Sequence, residues 1–414
     1  MSRPSSPSPS GAMRYGSTIR VDVSSVAFGG DGLGRVDGRV VFIPYTAVGD
    51  TVEAKVTEVH ARHARAGGTA GIRVITPSLA REVPACQYYT RCGGCQYQHI
   101  TYEEELRLKT RQVREAFVRI ARLPEAEVHV RDIIPSPSAY EYRNRITVHA
   151  EGGHVGFRSA DGRRLIDIDK CLIATPEVNA QLTALRKRHP QGGHYSLRAA
   201  DIPRSAFHQA NQLLLDRFCD EVVALLPAGT ADTPAPRLCL ELYSGGGFFT
   251  EKLAALGRFQ HIWAVEQDER LVRDAVRKKI PGVTLCEGSV EDVAGPLLGS
   301  NGADTRAVAA SVPLTTAEGA EANAATPPPR LIPAETLLLL DPPREGVSPQ
   351  ALANILRFGF AGIIYISCNP ATLARDAAKI AQDYTLRVVQ PVDMFPRTAQ
   401  IECITVWEPK SGTQ

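Results

Sequence analysis

The arrangement of apolar segments predicts an α/β fold: a doubly wound, Rossmann-like sheet preceded by an OB-like β-barrel and a central β-rich domain. Three observations predict it. Apolar runs at 238–242, 261–265, 283–287, 337–340, 363–367 and 385–389 alternate with helical stretches, and a last run lies at 401–407. A glycine cluster, Gly245-Gly246-Gly247, follows the first of these runs. Residues 17–76 instead show short alternating strands separated by glycine turns, the pattern of a small barrel.

Residues 1–16, rich in Ser and Pro, read as a disordered tail. In the barrel, Ile19, Val21 and Val23 alternate, Gly29-Gly30-Asp31-Gly32 turns, Val40 to Ile43 is apolar, and Val52, Ala54 and Val56 alternate again. Barrels of this size often hold single-stranded nucleic acid. Arg62, Arg65 and Arg73 lie near its end, where RNA contact and a solvated charged face both remain open.

The central domain spans 77–202 and opens with Cys86, Cys92 and Cys95; a fourth cysteine, Cys171, follows later. Thiolates this close repel one another unless a cation neutralises them, so the set predicts a metal site. Structural zinc and a [4Fe–4S] cluster both fit four cysteines. Tyr102, Leu106, Val113 and Phe117 recur at helical spacing, which predicts a helix over 101–122 packing the cysteine segment onto the body. Further on, alternation sets Arg143 and Arg145 on one strand face, within reach of a phosphate backbone or of solvent.

Composition excludes several classes. The 414 residues are 43% hydrophobic and 22% charged with a net charge of +2, ordinary values for a soluble globular protein. No apolar run approaches a membrane span and no secretory signal opens the chain, so a cytoplasmic monomer is expected. In that compartment nine cysteines point to metal binding or catalysis instead of disulfides.

The last domain, 203–410, carries the chemistry; residues 294–332, rich in Ala, Gly, Thr and Pro, read as a flexible insertion within it. Cys368 ends the run 363–367, where Asn369-Pro370 turns the chain, at the strand end where open sheets bind ligands. The run 337–340 ends in Asp341-Pro342-Pro343-Arg344, and 238–242 in Tyr243-Ser244-Gly245. Three loaded strand ends favour Cys368 as a nucleophile over a buried structural thiol. The glycines admit close backbone approach, and Glu266, 21 residues after Gly245, is placed to bind ribose hydroxyls. NAD and S-adenosylmethionine both fit such a loop. The GxGxxG fingerprint is absent, and Asp341-Pro342-Pro343 favours a methyltransferase sheet.

These motifs together, with Phe207-His208-Gln209-Ala210-Asn211, Ser367-Cys368-Asn369-Pro370 and Ile401-Glu402, resemble those of the RNA 5-methyluridine methyltransferases of the RlmD, RlmCD and TrmA type. The likeness runs from about residue 17 to 408 and is strongest to the cluster-bearing branch with a TRAM barrel, which acts on 23S rRNA. The resemblance implies that Cys86, Cys92, Cys95 and Cys171 hold a [4Fe–4S] cluster. It also implies that Gln209, Tyr243, Glu266 and Asp341 line the S-adenosylmethionine pocket with the loop Gly245 to Gly247, that Cys368 is the nucleophile, and that Glu402 is the proton acceptor. The chain departs from the family at Ser244, where a cysteine is usual, at the bulky Phe248, at Ser289 in place of an adenine-binding acid or amide, and at Gln400-Ile401. The implied function is formation of 5-methyluridine in 23S rRNA. Two alternatives stand beside it: the same chemistry on tRNA, and a non-catalytic iron–sulfur RNA-binding protein, against which the retention of Cys368, Glu402 and Glu266 speaks.

Overall fold

The structure, a computed structural model, describes residues 13–68, 71–200, 209–229, 234–299, 314–316 and 329–410. The first domain is a seven-stranded sheet. Its strands are β1 (Thr18–Asp22), β2 (Ser25–Val26), β3 (Gly32–Val36), β4 (Arg39–Ile43), β5 (Thr51–Val59), β6 (His63–Ala66) and β7 (Ile72–Thr76). They run in the order β1-β5-β6-β4-β3-β2 with β7 on β5. The alternating apolar positions point inward: Val21, Val41, Ile43, Val52, Ala54, Val56 and Ala66 form one small core.

The cysteine segment follows with little regular structure and leads into α1 (Tyr102–Arg119), whose start is capped by the Thr101 hydroxyl accepting from the Glu104 N–H. Val113 and Phe117 of α1 join the core of the last domain, as the helical spacing predicts. The central sheet holds β8 (Arg145–Glu151), β9 (His154–Arg158), β10 (Leu165–Asp167) and β11 (Gly192–Arg198) in the order β10-β9-β8-β11. Helix α2 (Pro176–Arg186) covers one face through Val178, Leu182 and Leu185. Arg143 does not share that sheet with Arg145: it lies ahead of β8 in isolated bridges to Asn211 and Ala174. Its guanidinium sits 5.9 Å over the Phe395 ring.

The last domain begins with α3 (Leu215–Ala224) and then alternates: β12 (Leu238–Leu242), α4 (Phe248–Ala255), β13 (His261–Glu266), α5 (Glu269–Arg277), β14 (Val283–Glu287), α6 (Val290–Leu297) and β15 (Leu314–Thr316). It continues with β16 (Thr336–Leu340), α7 (Pro349–Leu356), β17 (Gly362–Ser367), α8 (Pro370–Ile380), β18 (Tyr384–Val392) and β19 (Glu402–Pro409). The sheet order is β15-β14-β13-β12-β16-β17-β19-β18. Strands β12, β13, β14, β16 and β17 are parallel, and β19 lies antiparallel between β17 and β18. Apolar runs unbroken by polar residues reflect burial on both faces. Leu338 and Leu340 face one core with α1, α7 and α8, while Leu337 and Leu339 face another with α3 and α4.

The expected insertion 294–332 needs correction at both ends. Residues up to Leu297 belong to α6, begun by Ser289 as cap, and 314–316 form a strand antiparallel to β14. The remainder of that stretch lies outside the described residues, except 298–299 and 329–332. Among the described residues no helix is long and apolar enough to cross a membrane.

Candidate active site

The chemistry-bearing side chains gather along one edge of the large sheet, where the parallel strands end and β19 begins. Strand order reverses at β12, whose neighbours β13 and β16 lead to opposite flanks. Open α/β sheets bind ligands in the crevice at such a reversal.

One flank is the glycine loop. Gly245 and Gly247 have φ of 57° and 76°, left-handed values that a side chain would strain, and Gly247 caps α4. Tyr243 also sits at φ 65°, a conformation costing a non-glycine residue on the order of 1 kcal/mol. Glu266 closes β13, and its carboxylate is held by backbone: Oε1 accepts from the N–H groups of Gln267 (2.9 Å) and Asp268 (2.8 Å), Oε2 from Gly245 (2.9 Å). A carboxylate accepts about four hydrogen bonds, so Oε2 keeps one site for a ribose hydroxyl. The Ser289 hydroxyl is committed elsewhere: it caps α6, accepting from the Asp292 N–H and donating to its carboxylate. Phe248 packs edge-on to Phe249 at 4.9 Å. Gln209 is buried and its carbonyl accepts from Asn144 Nδ2 at 2.9 Å; Phe207 and His208 lie outside the described residues. The Ser244 hydroxyl is buried without a hydrogen-bond partner among the described residues.

The other flank holds Cys368, Glu402 and Asp341. Register places them together: Ser367 pairs with Cys403 across β17 and β19, so the next position sets Cys368 opposite Glu402. Side chains at opposite positions have Cβ atoms roughly 5 Å apart. Burial and then the Glu402 charge push the Cys368 thiol up to about 11, against the pull of the Arg344 guanidinium by charge and hydrogen bonding. Asn369 caps α8 directly after it, which sets the thiol near the positive end of a helix. Glu402 is 3% exposed; burial and then Asp341 push its carboxyl well above the usual range, against the pull of Arg344. Burial alone raises Asp341 to about 7. Arg344 received no role from the sequence, although it stands in the quoted Asp-Pro-Pro-Arg motif. Its position is enforced through its backbone: the carbonyl accepts from Asn369 Nδ2 (3.2 Å) and Thr372 Oγ1 (2.9 Å).

Two family models match the chain, a TRAM domain over residues 14–67 and a tRNA (uracil-5-)-methyltransferase over 334–410. An uncharacterized RNA methyltransferase of Gloeobacter violaceus is 30% identical across 96% of this chain and 98% of its own length. The chain belongs to the uracil-5 RNA methyltransferase family. Within that family, the 23S rRNA (uracil(1939)-C(5))-methyltransferase RlmD of Pseudomonas savastanoi is 29% identical over 95% of this chain and 94% of that protein. The fold is also that of Pyrococcus abyssi tRNA (uracil-54, C5)-methyltransferase in complex with S-adenosyl-L-homocysteine, at a TM-score of 0.65 and 19% identity, covering 94% of this chain and 99% of that one. The uracil-5 methyltransferase match contains Asp341, Arg344, Cys368 and Glu402, and the TRAM match contains most of the barrel.

In this family member the four cysteines of the central domain, separated by up to 85 positions, line one cavity of about 480 Å3. Their backbones are fixed. Cys171 N–H donates to Asn179 Oδ1 (2.8 Å) while Asn179 Nδ2 returns a bond to the Cys171 carbonyl (3.0 Å). Cys86 N–H donates to Gln98 Oε1 at 3.1 Å. Burial pushes the Cys92 thiol up to about 11, and Cys95 and Cys171 are raised by burial too. Among the described residues no three His, Cys, Asp or Glu side chains close on a single point at metal-ligand distance.

Proposed function

We propose that this S-adenosylmethionine-dependent enzyme forms 5-methyluridine in 23S rRNA. One observation carries the reading: a thiol, a buried carboxyl and a guanidinium meet at the mouth of the sheet, beside a glycine loop backed by a ribose-binding acid. C5 of uracil is a poor nucleophile. Attack of the Cys368 thiolate on C6 moves electrons into a C4–C5 enolate, and C5 then takes the methyl group. Bound S-adenosylmethionine supplies that methyl on a positively charged sulfur. Glu402 removes the C5 proton; the electron pair restores the C5–C6 double bond and expels the thiolate. The group that favours the Cys368 thiolate in this buried place is Arg344. C6 is reachable only when the base leaves its stack, which suits an RNA loop held by the barrel and central domain in the cytoplasm.

We propose further that the cysteine cavity takes a [4Fe–4S] cluster held by Cys86, Cys92, Cys95 and Cys171. Four sulfur donors from two distant segments line that one cavity on hydrogen-bonded backbone, and the raised thiols need metal cations to ionise together. A cluster would pin the 86–95 loop to Cys171.

The test is adduct trapping on 5-fluorouridine-substituted RNA. Fluorine cannot leave C5 as a proton, so a covalent complex should persist with wild type and vanish in Cys368→Ala. Trapping of 23S rRNA fragments in preference to tRNA is the expected result. Equal trapping of tRNA transfers the target while leaving the chemistry, and no adduct with either RNA refutes the reaction.

A further inference from the structure

Glu402 is delivered by an unusual element. Residues 393–401 connect β18 to β19 without regular structure, yet Asp393, Met394, Arg397 and Thr398 are at most 5% exposed. A buried connector must satisfy its polar groups internally, and here the partners come from three other parts of the chain. From α1, Lys109 Nζ donates to Asp393 Oδ1 (2.7 Å) and the Phe395 carbonyl (3.2 Å), and Glu105 Oε1 accepts the Arg397 N–H (2.8 Å). From the central domain, the Tyr142 hydroxyl donates to the Pro396 carbonyl at 2.9 Å.

The third partner is the cysteine loop, through Gln96, the residue after Cys95. Its backbone N–H donates to the Arg397 carbonyl (2.9 Å), with Tyr97 N–H on the same oxygen (3.1 Å). Its side-chain Nε2 donates to the Gly93 carbonyl (3.0 Å), and Oε1 accepts the Ala399 N–H (2.9 Å). The amide is thus used at both ends, and only this orientation matches a carbonyl on one side and an N–H on the other. The Tyr89 hydroxyl donates to the Gln96 carbonyl at 2.7 Å, so Gln96 itself is held. Arg397, itself one of the two bonded positions, has a φ of 66°, a strained conformation that persists only where surroundings enforce it.

We propose that Gln96 is a positioning residue for Glu402: it ties the cysteine-bearing loop to the connector and fixes the base for one step of the reaction, removal of the C5 proton. The proposal rests on the uracil-C5 reading and on Glu402 as its proton acceptor. It has a consequence that general destabilisation lacks. Attack by Cys368 and methyl transfer precede any use of the base, so loosening the connector delays proton removal and leaves the earlier steps alone.

The experiment is a single turnover with full-length protein in excess over RNA carrying tritium at uridine C5, started with S-adenosylmethionine bearing a radiocarbon methyl. In wild type, methyl incorporation and tritium release keep pace. In Gln96→Ala, tritium release should lag methyl incorporation by about 10- to 100-fold, the range expected when a base is misplaced, and methylated covalent complex should accumulate. Gln96→Glu keeps an acceptor for the Ala399 N–H but cannot donate to Gly93, and should show a smaller lag. Iron content and S-adenosylmethionine binding of each preparation report folding; if Gln96→Ala loses them, the lag in Gln96→Glu decides. Both labels slowing together, or neither slowing, overturns the positioning role. Methyl incorporation by wild type without tritium release overturns the uracil-C5 reading itself, a distinguishable failure.

Discussion

Glu241 lies within β12, directly beneath the glycine loop, and is 2% exposed. Its partner is the Thr250 hydroxyl, which donates to Oε2 at 2.6 Å. Burial pushes its carboxyl up to about 8; the Thr250 bond opposes this and the neighbouring Asp341 adds to it. The folded protein therefore keeps this proton through neutral pH, whereas the unfolded chain releases it near 4.5. A raised carboxyl lowers stability as pH rises between those two values, because the native state binds the proton more tightly. At about 1.4 kcal/mol per pH unit the loss is roughly 4–5 kcal/mol by pH 8. Replacing the acid with its amide, Glu241→Gln, keeps an oxygen for Thr250 and removes the titration. The added NH2 group costs about 1–3 kcal/mol if unpaired, but that cost does not vary with pH. Urea unfolding of both proteins from about pH 5 to about pH 8 is the assay. The stability difference should move in favour of Glu241→Gln by several kcal/mol across that range. Parallel stability profiles would show that Glu241 is ionised in the fold and would refute the reasoning.

Other outcomes follow from the same geometry. Lys109 is fully buried between Glu105 (2.8 Å) and Asp393 (2.7 Å), so Lys109→Met strands two buried carboxyls and should cost about 3–5 kcal/mol in chemical unfolding. Glu266→Gln should weaken S-adenosylmethionine binding about 10- to 100-fold by calorimetry while RNA binding holds, since a charge-assisted hydrogen bond is lost. Glu402→Gln should form the covalent complex with ordinary uridine RNA and fail to release it, visible as a persistent band on a denaturing gel. Wild type prepared anaerobically should carry about four irons per chain and Cys171→Ser markedly fewer; stoichiometric zinc in wild type would replace the cluster assignment.

What the sequence makes legible here is decided by local physics. Runs such as Leu337 to Leu340 are apolar without interruption because both faces of the sheet are covered, and that pattern needs no neighbour to interpret. The contact of Glu266 with the glycine loop was readable because its spacing from Gly245 is set by one helix and one strand. Arg344 and Gln96 were not, since their partners lie 24 and 303 positions away and neither residue type announces such a bond. Ser289 carries a second role that its adenine-contact register did not suggest: a serine two residues beyond a strand and three before an acid also caps a helix. Arg143 and Arg145 alternate as strand residues do, yet the strand begins only at Arg145.

The connector before β19 also bears on the order in which the enzyme is made. The ribosome releases Glu402 after the groups that seat its connector, since Gln96, Glu105 and Lys109 all precede it in the chain. Ala399 waits for Gln96 across 303 positions, and Arg397 for Glu105 across 292. Contacts this remote in sequence form late and slowly. On the proposed mechanism Cys368 can be in place as soon as β17 joins the sheet, whereas Glu402 is seated only when these distant segments meet. On the proposed mechanism a nascent chain would therefore be armed to capture RNA before it could let go, and the seating of β19 doubles as the licence for turnover.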